Sequence, residues 1–326
     1  METKRYKNGE TPRVVAIVGP TASGKTAFSL DVAERFGGEI VGCDSMQIYQ
    51  RMDIGTAKPT AAERARVPHH MVDFLAPNLP YSAADYAQDA LTAVGDILGR
   101  GRLPIFCGGT GLYLEAARSG RHEGLPAISP DVREALEAEA ALCGADAMHA
   151  RLAEVDPVSA AAIHPNNQRR VLRALEIFRA TGKPKSEWDR ESRERPPALS
   201  MLVLALFPTD RAALHARIDR RVDCMMEEGL AEEVSALYRD GLLSEGTTAG
   251  AAIGYKEYAA ALRGECTEAE AVAEIKIATH RYARRQLTWF RAIEGAIHLS
   301  CDERGVTPEA REHAYCMIEQ FLNQNT

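Results

Sequence analysis

A chain of 326 residues, 45% hydrophobic and 26% charged, has the make-up of a folded globular protein with room for one large domain or two medium ones. No apolar run approaches the roughly 20 residues that span a bilayer, and the opening METKRYKNGE lacks an apolar leader core, so a cytoplasmic protein without a membrane partner is expected. Seven scattered cysteines with no CxxC pair exclude a disulfide or zinc-ribbon framework, while a net charge of −7 argues only weakly against nucleic acid, because binding depends on local fields.

In chain order, RVVAIV (13–18) is a short apolar, β-branched run that ends in GPTASGKT (19–26), a complete match to G-x-x-x-x-G-K-[ST]. Backbone N–H groups of such a loop, at the start of a helix, form an anion site. Lys25 adds a point charge and Thr26 a hydroxyl for Mg²⁺. The motif is strong evidence for a polyphosphate and weak evidence for what is done with it. TAFSLDVAERFG (26–37) has helical spacing and stops at Gly37-Gly38. EIVGCDS (39–45) reads as a second strand, with Asp44 at its end. Three roles are open to Asp44: an Mg²⁺ ligand, a general base, or a cap for the following helix. In VPHHMVDF (67–74) the paired histidines point apart, which favours a structural role over a metal site. LPIFCGGTG (103–111) is a third strand whose glycines suit close backbone approach, with the Thr110 hydroxyl beside them.

From 116 to 199 the spacing is purely helical. Ser129-Pro130 reads as an N-cap and first-turn pair leading a helix to Gly144. Asn166-Asn167 opens another that Gly182 and Pro184 stop; Val171, Leu172, Leu175 and Phe178 share one face, Arg169 and Arg173 another. SMLVLALFP (200–208) is a further core strand, followed by helices from 209 to 293. Strands alternating with helices predict an α/β fold: a P-loop, doubly wound parallel sheet core carrying an all-helical insertion domain. The expected division is 1–115 for the first part of the core, 116–199 for the insertion, 200–300 for the second part with basic helices, and 301–326 for a C-terminal tail. In such sheets ligands bind beyond the carboxyl ends of the strands, where 19–26, 44–48 and 108–113 all fall.

Two stretches are locally basic. HPNNQRRVLRALEIFRATGKPK (164–185) holds six Lys and Arg against Glu176, and KIATHRYARRQLTWFR (276–291) holds Lys276, Arg281, Arg284, Arg285 and Arg291 with His280 and no acid. The second stretch interleaves cations with Tyr282, Trp289 and Phe290; with no acid to pair its cations, a phosphate-backbone contact is preferred over an ordinary amphipathic helix. Arg217 and Arg221, one helical turn apart in LHARIDRRVDCMMEEGL (214–230), form an anion clamp only if their helix faces the phosphate loop.

GPTASGKT, DSMQIY, PHHMVD, GGTGLY, HPNNQRRVLRALEI, IGYKE and RYARRQLTWFR occur here in the order and spacing of one family. Over roughly residues 13–293 the chain resembles the bacterial-type tRNA dimethylallyltransferases, also called tRNA isopentenyltransferases. The departures are conservative, such as Ile48 where valine is frequent. The tail matches nothing in the family, and the C2H2 finger of many eukaryotic members is absent.

The resemblance implies that Gly19, Pro20, Thr21, Ala22, Ser23, Gly24, Lys25 and Thr26, with Arg221, hold the diphosphate of dimethylallyl diphosphate, with Mg²⁺ on Thr26. The dimethylallyl group would pass to N6 of the adenosine just 3′ of the tRNA anticodon, and diphosphate would leave. It assigns Asp44 as general base, Thr21 to the bridging oxygen and Arg217 to the leaving group. It puts Asp44, Ser45, Met46, Gln47, Thr110, Arg133, Gln168, Arg169, Arg170, Val171 and Leu172 against the anticodon stem-loop, with Arg281, Arg284 and Arg285 gripping its backbone. A monomer is expected. Two alternatives stay open: a relative acting on free adenine nucleotides, and a P-loop small-molecule kinase or ATPase. A non-catalytic RNA-binding protein with a vestigial loop is disfavoured by the intact Lys25, Thr26 and Asp44.

Overall fold

The computed structural model describes residues 11–120, 128–244 and 246–324. The chain divides into two compact units, Met1–Gly120 with Ala198–Thr326, and Arg121–Pro197. The first unit opens with β1 (Arg13–Val18), α1 (Lys25–Phe36), β2 (Gly38–Gly42), α2 (Ala61–Arg66), β3 (His69–His70), α3 (Ala83–Gly99), β4 (Leu103–Gly108) and α4 (Gly111–Ser119). The second unit holds α5 (Pro130–Val155), α6 (Pro157–Ala162), α7 (Gln168–Thr181) and α8 (Lys185–Glu194). The chain then returns to the first unit as β5 (Ser200–Pro208), α9 (Arg211–Glu227), α10 (Leu230–Arg239), α11 (Tyr255–Leu262), α12 (Glu268–Arg291), β6 (Ile297–Asp302), β7 (Gly305–Val306) and α13 (Pro308–Asn323).

The strands form one seven-stranded sheet in the order β3-β2-β4-β1-β5-β6-β7, parallel except for the final β6–β7 hairpin. Its α/β, doubly wound character follows from side-chain alternation. Val14, Ala16 and Val18 of β1 point into one core with Phe106, Val203 and Ala205, under α3 and α4. Val15 and Ile17 point into the other with Ile105, Leu204 and Leu206, against α1 and α13. A strand buried on both faces reads as a continuous apolar run, which is why β1 and β5 stand out in the sequence. By contrast β6, IHLSCD, alternates buried and exposed positions, and β3 is two residues long. Neither is expected from hydropathy.

The segment 301–326, expected as a tail, instead packs into the core as far as Leu322, and residues 325 and 326 lie outside the described residues. Thr307 caps α13 by accepting from Ala310 N at 3.3 Å, with Pro308 in the first turn. Ala314, Tyr315 and Ile318 are buried, and the Tyr315 ring stacks on Phe28 of α1 at 6.3 Å. Arg13 of β1 donates to the carbonyl of Leu322 at 3.0 Å, tying the start of the sheet to the end of the chain.

Within the helical unit the core consists of Leu136, Met148, Leu152, Ala160, Val171, Leu172, Ala174 and Leu175. Gly144, read as the end of a helix, is a kink (φ 80°, ψ 172°) after which α5 continues to Val155, because Met148 and Leu152 supply its next buried face. Ser129 makes no capping bond; its hydroxyl contacts the Asp131 carboxylate at 3.2 Å. The buried Asp156 accepts from Ser159 N and Ser186 N, both at 3.0 Å, pinning the starts of α6 and α8 with one side chain. Burial opposes its ionisation, yet these hydrogen bonds hold its pKa below the usual carboxylate value.

Candidate active site

The phosphate loop leaves β1 at the carboxyl edge of the sheet and runs into α1. Gly24 adopts φ 85°, a conformation other residues resist, which turns the chain so that the first amides of α1 remain unpaired by any cap side chain. Ser23 is buried, and its hydroxyl has no partner among the described residues. Lys25 Nζ reaches back to the Pro20 carbonyl at 3.3 Å.

Helix α9 does face this loop. Arg217 and Arg221 line, with Gly24, Lys25 and Thr26, a cavity of about 890 Å³, and Arg217 Nη1 donates to the Asp302 carbonyl at 2.5 Å. Burial holds the Lys25 ammonium below its usual pKa, and the neighbouring Arg221 adds to the effect. Arg221 is lowered by burial as well, against the pull of Asp44. Desolvated cations placed side by side are relieved by a bound polyanion, which is the electrostatic definition of this site.

On the other side of Lys25 lies a second cavity, of about 400 Å³, which Asp44 shares with Thr21, Lys25, Thr26 and Arg221. Asp44 Oδ1 accepts from Met46 N at 2.9 Å, so the residue closes a turn where a capped helix was expected, and this bond orients the carboxylate. Ser45 N donates to Thr110 Oγ1 at 3.0 Å. The Tyr282 hydroxyl, raised in pKa by burial and by Asp44, stands beside Thr110. Burial raises the Cys43 and Cys107 thiols too, so neither offers a thiolate at neutral pH.

The glycines of the third loop are needed for contact. A Cβ on Gly108 would lie 2.0 Å from Cys43 O, on Gly109 2.1 Å from Gln286 Nε2, and on Gly111 2.2 Å from the Trp289 ring. Gln286, buried on α12, is a residue the sequence reading overlooked. Its Oε1 accepts from Thr21 N at 2.9 Å and its Nε2 donates to Gly109 O at 2.9 Å, joining the phosphate loop to the third loop. An amide following the Arg284-Arg285 pair was the available signal; its partners, more than 170 residues away, were not readable. Glu233 of α10 was overlooked as well. It accepts from the amides of Asp53, Ile54 and Gly55 at 2.8, 2.9 and 3.2 Å and from the Tyr255 hydroxyl at 2.6 Å. Gln47 donates to Thr56 O and Ala57 O, and the buried Lys58 binds Tyr49 O, Asp53 and Asp73. Together these hold the loop whose Gly55, Thr56 and Ala57 form one wall of the smaller cavity. Val222, Met225, Leu230 and Ile275 form its apolar end.

The histidine pair is structural. His69 Nδ1 contacts Val67 O at 2.8 Å and His70 Nε2 contacts Glu39 at 2.7 Å. No group of three or more His, Cys, Asp or Glu able to hold a metal occurs among the described residues. The basic stretch of α12 needs correction: acids do reach it, from the preceding turn and from α9. Arg281 pairs with Glu274 at 3.3 Å, Lys276 with Asp223 at 2.6 Å, and His280 lies 2.9 Å from Asp219. Arg284 and Arg285 are exposed and have no ion pair among the described residues; Arg285 sits over the Tyr282 ring and lines the smaller cavity. Of the three aromatics, only Phe290 is fully buried, while Trp289 is 42% exposed.

In the helical unit Gln168, Arg169 and Arg170 are exposed on the first turn of α7. Val171 and Leu172, expected against tRNA, are 1% and 9% exposed and pack into the unit's core; their side chains hold the unit together. Arg133 is engaged by Glu137 at 2.8 Å and Glu176 at 3.6 Å.

A mostly parallel α/β sheet with a phosphate loop and a carboxylate facing that loop, in a chain that also holds an all-helical unit, defines a P-loop protein built to hold a polyphosphate. Residues 47–293 match the family model described as IPP transferase, and residues 12–70 match one described as isopentenyl transferase. The chain is 47% identical to the tRNA dimethylallyltransferase of Roseiflexus sp. (strain RS-1) over 95% of this chain and 99% of that one. It is 46% identical to that of Halorhodospira halophila (strain DSM 244 / SL1) over 94% and 97%. The full-length tRNA isopentenylpyrophosphate transferase of Bacillus halodurans superposes with a TM-score of 0.70 at 41% identity, covering 95% of this chain and 96% of that one. A eukaryotic dimethylallyltransferase acting on tRNA superposes at 0.83 with 28% identity, covering 97% and 80%. The chain belongs to the IPP transferase family.

Proposed function

We propose that this enzyme transfers the dimethylallyl group of dimethylallyl diphosphate to N6 of adenosine 37, next to the tRNA anticodon, and releases diphosphate. The observation that carries the reading is the single cavity in which the phosphate loop, Lys25 and Arg221 meet the Asp44 carboxylate, in a chain of this family. Adenine N6 is a poor nucleophile because its lone pair is delocalised into the ring. As its bond to the allylic carbon forms, Asp44 accepts the N6 proton. As the C–O bond breaks, charge gathers on the diphosphate, and Lys25, Arg217, Arg221 and the α1 amides favour that state over the ground state. Thr21, whose amide donates to Gln286 at 2.9 Å, is the residue we assign to the departing bridging oxygen. The apolar end at Val222, Met225 and Ile275 receives the hydrocarbon and keeps water from the allylic carbon.

The donors present suit Mg²⁺ carried by the substrate: such ions keep waters and phosphate oxygens and ask for only one or two protein ligands, here the Thr26 hydroxyl. When bound, Mg²⁺ neutralises diphosphate charge. A base stacked in an anticodon loop leaves the stack at a cost of a few kcal/mol. Contacts by Arg284 and Arg285 on α12, and by the exposed Gln168, Arg169 and Arg170 of α7, offset it. We infer a cytoplasmic protein, because all seven thiols are free, as in a reducing compartment, and we propose that it acts as a monomer. Among the described residues no helix is long and apolar enough to cross a membrane.

The test is incubation with dimethylallyl diphosphate and tRNA bearing adenosines 36 and 37, followed by mass spectrometry of the nucleosides. A prenylated adenosine is the expected product. Transfer to AMP with tRNA inert would shift the assignment to free nucleotides, and a γ-phosphate on any product would end it.

A further inference from the structure

The β6–β7 turn, Asp302 to Gly305, lies beyond residue 293, where the match to the family model stops. It nonetheless borders the phosphate loop. Arg217 Nη1 donates to the Asp302 main-chain carbonyl at 2.5 Å. A Cβ on Gly24 of the phosphate loop would lie 3.1 Å from Gly305 Cα and 3.7 Å from Arg217 Nη2, so loop, turn and guanidinium meet at one point. The turn is well defined. Asp302 pairs with Gly305 across the hairpin, the Asp302 carboxylate accepts from Arg304 N at 2.7 Å, and Gly305 takes φ 109°. Its two ends are anchored by Cys301 and Val306, both buried against α1 and α13. Glu303 at its tip faces the larger cavity beside Arg217.

A guanidinium on a long, flexible stem has entropy to lose before it can serve one oxyanion. A main-chain carbonyl is a suitable anchor, because it takes one N–H without neutralising the charge and leaves the remaining donors for the ligand. We propose that the β6–β7 turn is a positioning element for Arg217, presenting its free N–H groups to the leaving diphosphate at Gly24. This rests on the reading of Arg217 as a leaving-group cation.

The test is a double-mutant cycle read by calorimetric binding of magnesium diphosphate to the full chain. Gly305→Val acts on the turn's path, because a β-branched residue resists φ 109° while a Cβ there would meet nothing within 4 Å. Insertion of Gly-Gly between Glu303 and Arg304 loosens the same turn at little cost in loop closure. Arg217→Ala and each turn variant should weaken diphosphate binding by roughly 10-fold, with tRNA affinity unchanged. In the Arg217→Ala background both should become silent, an outcome a general structural defect would not produce. A loss in Arg217→Ala with none in either turn variant, or turn effects that persist undiminished in that background, overturns this inference alone. No loss in Arg217→Ala overturns it together with the assigned role of Arg217.

Discussion

Asp44 serves two purposes with its two carboxylate oxygens. One is bound to Met46 N and holds the turn that follows β2; the charge of the group acts on Lys25 and Arg221. Asparagine keeps the capping oxygen and removes the proposed base, so Asp44→Asn separates the two roles. Its single-turnover rate should fall by about 10²–10⁴ while tRNA affinity stays near that of the parent. Diphosphate should bind no more weakly, because an anion beside the cradle has been neutralised. Full chemistry with impaired tRNA binding would leave Asp44 as a cap alone. At the same scale, Gln286 and Glu233 show that polar residues buried or half-buried near a site need partners, and that those partners define what each residue does.

Helix α12 shows how one element serves several surfaces. Ile275, Thr279, Tyr282 and Gln286, spaced along one stripe, line the smaller cavity, while Phe290 closes the first core. Lys276 and His280 are turned toward the acids of α9. Among the described residues that leaves Arg284, Arg285 and Arg291 without an ion pair; Arg291 lies over the Phe207 ring, and Arg284 and Arg285 are the two proposed to meet a phosphate backbone. Replacing both with alanine should flatten the log–log salt dependence of tRNA binding by roughly one unit per lost phosphate contact. Replacing Lys276 should leave it almost unchanged. Equal slopes in the double variant and the parent would return the helix to an ordinary amphipathic role.

Over the whole molecule, the C-terminal strands and helix complete the sheet rather than trail from it. Leu299, Val306, Tyr315 and Ile318 all sit in the second core. Burial of such side chains is worth roughly 1.5–3 kcal/mol each, together comparable to the total stability of about 5–15 kcal/mol of an ordinary domain. A chain ending at Ala296 should therefore show no cooperative thermal transition by calorimetry. A truncated protein that melts near the parent temperature would mean that the first unit folds without its last strands.

The sequence by itself determined the α/β class, the central strands β1, β2, β4 and β5, the phosphate loop, Asp44 and the helical insertion. Each is written in a local signal: a continuous apolar run, a glycine-lysine spacing, or a helical period bounded by glycine and proline. Only the tertiary structure decided which arginines face the phosphate loop, which cations are already paired, that Val171 and Leu172 belong to a core, and that residues 297–323 are largely sheet and helix. Those outcomes depend on partners brought together from far along the chain, such as Arg217 with Asp302 and Gln286 with Gly109. Short edge strands and single buried amides gain their stability from such neighbours, so no local pattern announces them.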